Sequence, residues 1–87
     1  MVENILQEAD RITSTRGPAE HGHPKVQLPL AAKLWSAVLG IEVTPEQVAL
    51  CMVQLKVSRF LANPQRDDLV DICGWTRTIE RLDEETP

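Results

Sequence analysis

The amino-acid sequence predicts an all-α fold: a four-helix single domain with a C-terminal antiparallel helix hairpin and a long loop between helices 1 and 2. Three observations lead there. Apolar residues recur at helical spacing through four segments, which Gly, Pro and Asn separate. Aromatic residues are scarce: Trp35, Phe60 and Trp75 stand alone, with no tyrosine, whereas a small sandwich or barrel draws on β-branched and aromatic side chains. The 87 residues are 43% hydrophobic and 25% charged, the balance of one ordinary globular domain spanning residues 1–87.

The first helix is expected over about residues 2–13. Val2, Ile5, Leu6, Ala9 and Ile12 lie on one face, with Glu3, Gln7, Glu8, Asp10 and Arg11 on the other. Ser14–Pro24 holds two Gly and two Pro in eleven residues and reads as a loop. Long ordered loops are often functional. A second helix is expected over 28–39, carrying Leu30, Ala31, Leu34, Trp35, Val38 and Leu39. Pro29 suits its first turn, and Gly40 suits the position just past its end.

Thr44-Pro45-Glu46-Gln47 is the sharpest local signal in the chain. Thr44 is an N-cap, Pro45 the first helical residue, and Gln47 completes a capping box. The third helix is expected over 45–62, stopped by Asn63-Pro64. The fourth is expected over 67–83. Acidic residues stand in its first turn, and its buried stripe is Leu69, Ile72, Cys73, Thr76 and Ile79.

The formal net charge is −4, so the chain lacks the basic footprint for nucleic acid or an anionic membrane surface. The longest apolar run, Val48–Leu55, is far too short for membrane insertion. Met1-Val2-Glu3-Asn4 opens an amphipathic segment and not a signal peptide. Cys51 and Cys73 sit in apolar runs and read as two reduced core thiols of a cytoplasmic protein. With His21 and His23 they supply zinc-type ligands, but no C-x-x-C or H-x-x-x-H spacing exists. No metal site, no cofactor and no catalytic residue is therefore assigned, and turnover is the less favoured reading.

The third helix carries most of the information. Val48, Ala49, Leu50, Cys51, Met52, Val53, Leu55, Val57, Phe60 and Leu61 surround almost its whole circumference. A helix apolar all round is buried on several sides, which makes it the expected central helix. One 87-residue core can hardly cover it, so a homodimer is expected. Its polar residues form two stripes on nearly opposite faces: Gln47, Gln54 and Ser58, and Lys56, Arg59 and Asn63. One stripe can face solvent. The other needs neutralising, and Asp68 and Asp71 of the fourth helix come level with Lys56 and Arg59 in an antiparallel hairpin. Lys56, Arg59, Asp68 and Asp71 form either a structural ion-pair cluster or a ligand site, which His21 and His23 could complete. Trp35 and Trp75 read as core or interface anchors.

The series His21-Gly22-His23-Pro24, Ala32-Lys33-Leu34-Trp35-Ser36, Thr44-Pro45-Glu46-Gln47-Val48-Ala49-Leu50, Lys56-Val57-Ser58-Arg59 and Asp68-Leu69-Val70-Asp71-Ile72 with Gly74-Trp75 resembles a family of small phage-encoded proteins of unknown function. The family usually has Tyr-Gly-His-Pro in the loop and Ala-Gly-Tyr in the last helix. Here His21 and Trp75 stand at the tyrosine positions and Cys73 at the alanine. More distantly, the arrangement is similar to all-α nucleotide pyrophosphohydrolases of the MazG type, which hold Mg²⁺ with an E-x-x-E and an E-x-x-D pair. Lys56 and Arg59 occupy the first of these pairs, and Asp68 and Asp71 could stand for the second.

The resemblance implies a phage accessory protein acting by binding. Its expected partner is a host protein in the cytoplasm of the infected bacterium, whose activity it alters. The alternative is a module for a nucleotide or phosphate ligand, a degenerate MazG-like site. A second alternative is a Mg²⁺-dependent nucleotide pyrophosphohydrolase, against which two cations stand where the metal needs carboxylates.

Overall fold

A computed structural model describes residues 2–21 and 24–82. The described residues form four helices: α1 (Ile5–His21), α2 (Pro24–Leu39), α3 (Pro45–Ala62) and α4 (Arg66–Arg81). The all-α, four-helix expectation holds. The expected long loop does not. α1 continues through Ser14–His21 and α2 starts at Pro24, four residues before the expected Leu28. Pro29 accordingly lies inside α2 and not at its start. Gly and Pro each carry a local helix penalty, about 1 and 3 kcal/mol, but a few such residues do not end a helix where the neighbouring turns remain helical.

The starts of α1 and α3 are chemically marked. Asn4 caps α1 in a reciprocal pair with Gln7: the Gln7 N–H donates to Asn4 Oδ1 at 2.8 Å, and the Asn4 N–H donates to Gln7 Oε1 at 2.9 Å. Thr44 and Gln47 repeat the device at α3, at 3.2 and 2.9 Å. Between α2 and α3 the chain turns through Gly40, whose φ of 71° is the left-handed conformation that favours glycine. Ser36 then ties the turn down. Its hydroxyl donates to the Ala32 carbonyl at 2.7 Å and accepts the Val43 N–H at 2.8 Å.

α3 and α4 form the predicted antiparallel hairpin. Lys56 meets Asp71 and Arg59 meets Asp68, and Ile79 packs against the core cluster to which Val48 and Ala49 of α3 belong. α1 packs on α4, while α2 packs on α3 and touches α4. The central helix is therefore α4, not α3 as the apolar circumference of α3 suggested. α3 has neighbours on two sides only, and Leu50, Leu55 and Leu61 remain 48–77% exposed. Cys51 is exposed and Cys73 half-buried, both as free thiols, so Cys51 is not a core residue. Thr76, expected on the buried stripe of α4, is exposed. The core is small: Leu28, Ala32, Val48 and Ala49 cluster together, with Trp35, Trp75, Val43, Ile79 and Leu82 packed partly buried against them, and Ala9 and Val70 are buried as well.

Candidate functional site

The α3–α4 seam brings together four of the six ligand candidates. Lys56 and Arg59 are three apart on α3, and Asp68 and Asp71 are three apart on α4, so each pair shares a helix face. In the antiparallel register the pairs interlock. Lys56 Nζ lies 3.0 Å from Asp71 Oδ2, with the lysine side chain 16% and the aspartate 45% exposed. Arg59 Nε lies 3.5 Å from Asp68 Oδ1, with exposures reversed: 61% for the arginine and 6% for the aspartate. Each pair thus has one enclosed partner and one in contact with water. Asp68 stands in the first turn of α4, where the helix dipole favours a negative charge. Among the described residues, no buried side-chain polar atom lacks a hydrogen-bond partner.

These contacts close the cluster. Every cation in it faces a carboxylate of the adjacent helix. Among the described residues, no three His, Cys, Asp or Glu side chains converge as a metal ion requires. Gly22, His23 and the His21 side chain lie outside what the structure describes, so the loop histidines have no place in this geometry. Trp35 and Trp75 sit partly buried against the core, as anchors of packing.

A second seam, which the sequence reading did not anticipate, joins α1 to α4 through three arginines. Arg66 Nη1 is 2.7 Å from Glu8 Oε1, and its Nη2 donates to the Glu3 carbonyl at 3.2 Å. Arg77 contacts Asp10 and Glu80, both at 3.1 Å. Arg81 Nη1 donates to the Thr13 carbonyl at 2.6 Å. Beside this seam an open groove of about 380 Å³ is lined by Leu6, Ala9 and Cys73, with Asp10, Arg77 and Glu80 among its polar edges. The spacing of arginines along α4 was readable. Their partners at the N-terminal end of the chain were not, because these lie 58 to 68 residues away in sequence.

The outward side of α3 is the remaining feature. Gln47, Leu50, Cys51, Gln54, Leu55, Ser58 and Leu61 are all exposed, and none is charged. On a helical wheel Glu46 and Arg59 border this arc on either side. In a chain that is 25% charged, the solvent face of a helix normally takes the charges.

A family model described as a domain of unknown function, DUF6378, matches residues 4–83. Two phage proteins, each named Gene 55 protein, are similar to this chain. That of Mycobacterium phage L5 is 36% identical over 81 residues, covering 91% of this chain and 52% of the relative. That of Mycobacterium phage D29 is 33% identical over 86 residues, covering 98% of this chain and 57% of the relative. The chain thus spans about half the length of these curated relatives. No solved structure matches. Among the described residues no helix is long and apolar enough to cross a membrane.

Proposed function

The chain belongs to the DUF6378 family, and from that premise we propose that it is a phage accessory protein that acts by binding a host protein, with the outer face of α3 as the contact surface. The observation that carries this reading is a contrast between two faces of one helix. The inner face of α3 engages its cations with Asp68 and Asp71, and the outer face presents Leu50, Leu55 and Leu61 among Gln47, Gln54 and Ser58 with no charge. A site built to hold a phosphate keeps its cations for the ligand. A transient protein interface mixes apolar and uncharged polar side chains and is depleted of charge at its centre. The protein acts in the cytoplasm of the infected cell, where the host target is.

One observation favours a second reading, the nucleotide or phosphate module with a degenerate MazG-like site: the Arg59 side chain is 61% exposed and could turn to a phosphate. The Mg²⁺-dependent hydrolase is the least supported of the three, since Asp68 and Asp71 already face cations.

A photo-crosslinking residue at Gln54 tests the proposal in host cells, with the same residue at exposed Asp67 as control. The expected result is a discrete adduct with one host protein from position 54 and none from position 67. The paired change Leu50→Ser and Leu61→Ser should abolish it while helicity persists. Adducts of equal yield from both positions would overturn the proposal. Calorimetric nucleotide binding that Arg59→Ala removes would replace it with the second reading.

A further inference from the structure

We infer that the outward ridge of α2 is a homodimer interface, packed against the same ridge of a second copy about a two-fold axis. Val26, Leu30, Leu34 and Val38 follow one another at intervals of four residues, so they form a single ridge along the helix. They are 52%, 53%, 60% and 84% exposed. The opposite side of the same helix already enters the core through Leu28 and Ala32. α2 is therefore apolar on two faces, and its own chain covers only one.

The occupant follows from the order of the side chains and from area. The ridge reads Val-Leu-Leu-Val, the same in both directions. A two-fold axis between Leu30 and Leu34 sets Leu30 against Leu34 of the second copy, and Val26 against Val38. In an isologous contact residue i meets j and j meets i, and on this ridge that sets side chains of like size together. The accessible surface is 6025 Å², whereas a compact monomer of 9.7 kDa exposes about 5,100 Å². The excess of roughly 900 Å² is shared between the α2 ridge and the other open apolar faces, Leu50, Leu55 and Leu61 of α3 among them, and a standard interface buries ~800 Å² on each side. The radius of gyration, 13.6 Å, likewise exceeds the ~12 Å of a compact 87-residue domain. Homodimer interfaces are also more purely apolar than transient ones, which separates this ridge from the Leu/Gln/Ser face of α3. The inference stands independently of the function proposed for that face.

Ridges of this type interlock at a crossing angle of about −50°. Sedimentation of the wild-type chain at tens of micromolar should give twice the 9.7 kDa chain mass. Leu30→Glu with Leu34→Glu, and separately Leu30→Lys with Leu34→Lys, should each sediment at the single-chain mass with unchanged helical circular dichroism. Mixing the two should restore the dimer, because position 30 of one copy faces position 34 of the other. Independently of any variant, isotope-filtered NOEs in a mixed-label wild-type sample should link Leu30 and Leu34 methyls between copies. A monomeric wild type overturns the inference. So does a Glu variant that stays dimeric, a mixture that fails to recombine, or intermolecular NOEs at Leu50 and Leu61 in place of the α2 methyls.

Discussion

At the residue scale, the two ion pairs of the α3–α4 seam differ in what each partner would leave behind. Lys56 is enclosed, but Asp71 is 45% exposed, so water screens that pair. A double-mutant cycle of Lys56→Ala and Asp71→Ala in urea should return a coupling of about 0.5–1 kcal/mol, well short of the 3–5 kcal/mol of a fully dry pair. The other pair is asymmetric. Arg59→Ala orphans the enclosed Asp68 carboxylate and should cost roughly 2–3 kcal/mol. Asp68→Asn leaves Arg59 free to turn into water and should cost less than half of that. Equal costs would mean that Asp68 finds its compensation elsewhere.

Glu3 makes a second prediction at this scale. The Arg11 guanidinium donates to both its oxygens, at 3.0 and 2.9 Å, and holds its carboxyl below the ordinary 4.5, against the opposing effect of desolvation. Because the folded value is the lower one, this contact stabilises the fold above the ordinary carboxylate range. That contribution is lost as pH falls through the lowered value. A carboxyl NMR titration should show Glu3 moving up towards 4.5 in Arg11→Ala. An unchanged midpoint would assign the effect to Arg66 instead.

At the scale of the elements, two glycines should respond in opposite directions to the same change. Gly40 has open space where a Cβ would stand, but its φ of 71° strains any side chain. Gly40→Ala should therefore destabilise the α2–α3 turn by about 1 kcal/mol. Gly74 is helical, and its added Cβ would meet Thr13 Cγ2 at 3.5 Å, an ordinary contact. Gly74→Ala should stabilise α4 by up to about 1 kcal/mol through helix propensity. Thermal or urea melts of the two variants decide both signs. The close approach of α1 at Thr13 does not depend on glycine at 74, so a loss of stability there would show that α1 sits nearer than the structure has it.

At the scale of the whole molecule, the four helices form a slab of 45 × 34 × 19 Å, with α4 between α1 and α3. α4 is the one helix with neighbours on several sides, so its amides should open only with global unfolding. Native-state hydrogen exchange should find the slowest amides in Leu69–Ile79. The outer turns of α3 should be less protected, despite its more apolar composition. Slowest exchange in Val48–Leu61 would reverse the order of the two helices. In a protein dimerised through α2, the α2 amides should gain protection with concentration, while those of α1 should not.

What the sequence determined by itself was whatever depends on residues close together along the chain. Thr44-Pro45-Glu46-Gln47 marked the start of α3 because a capping box is complete within four residues. The pairing of Lys56 with Asp71 and Arg59 with Asp68 was readable because a short turn forces an antiparallel register, and that register follows from counting. Asn4 and Gln7 carry the same local signal, but the apolar Val2 drew the expected start three residues ahead of Ile5. The Gly and Pro of Ser14–Pro24 are turn formers locally, yet α1 runs on to His21, since helix continuation depends on more than the propensity of single residues. Tertiary structure alone decided which helix is central and which apolar faces stay open. Periodicity records that a face is apolar, not what covers it. α3 and α2 each bury one side against their neighbours, and only the number and placement of those neighbours, which no local pattern encodes, left the outer ridge of α2 and the uncharged face of α3 in water.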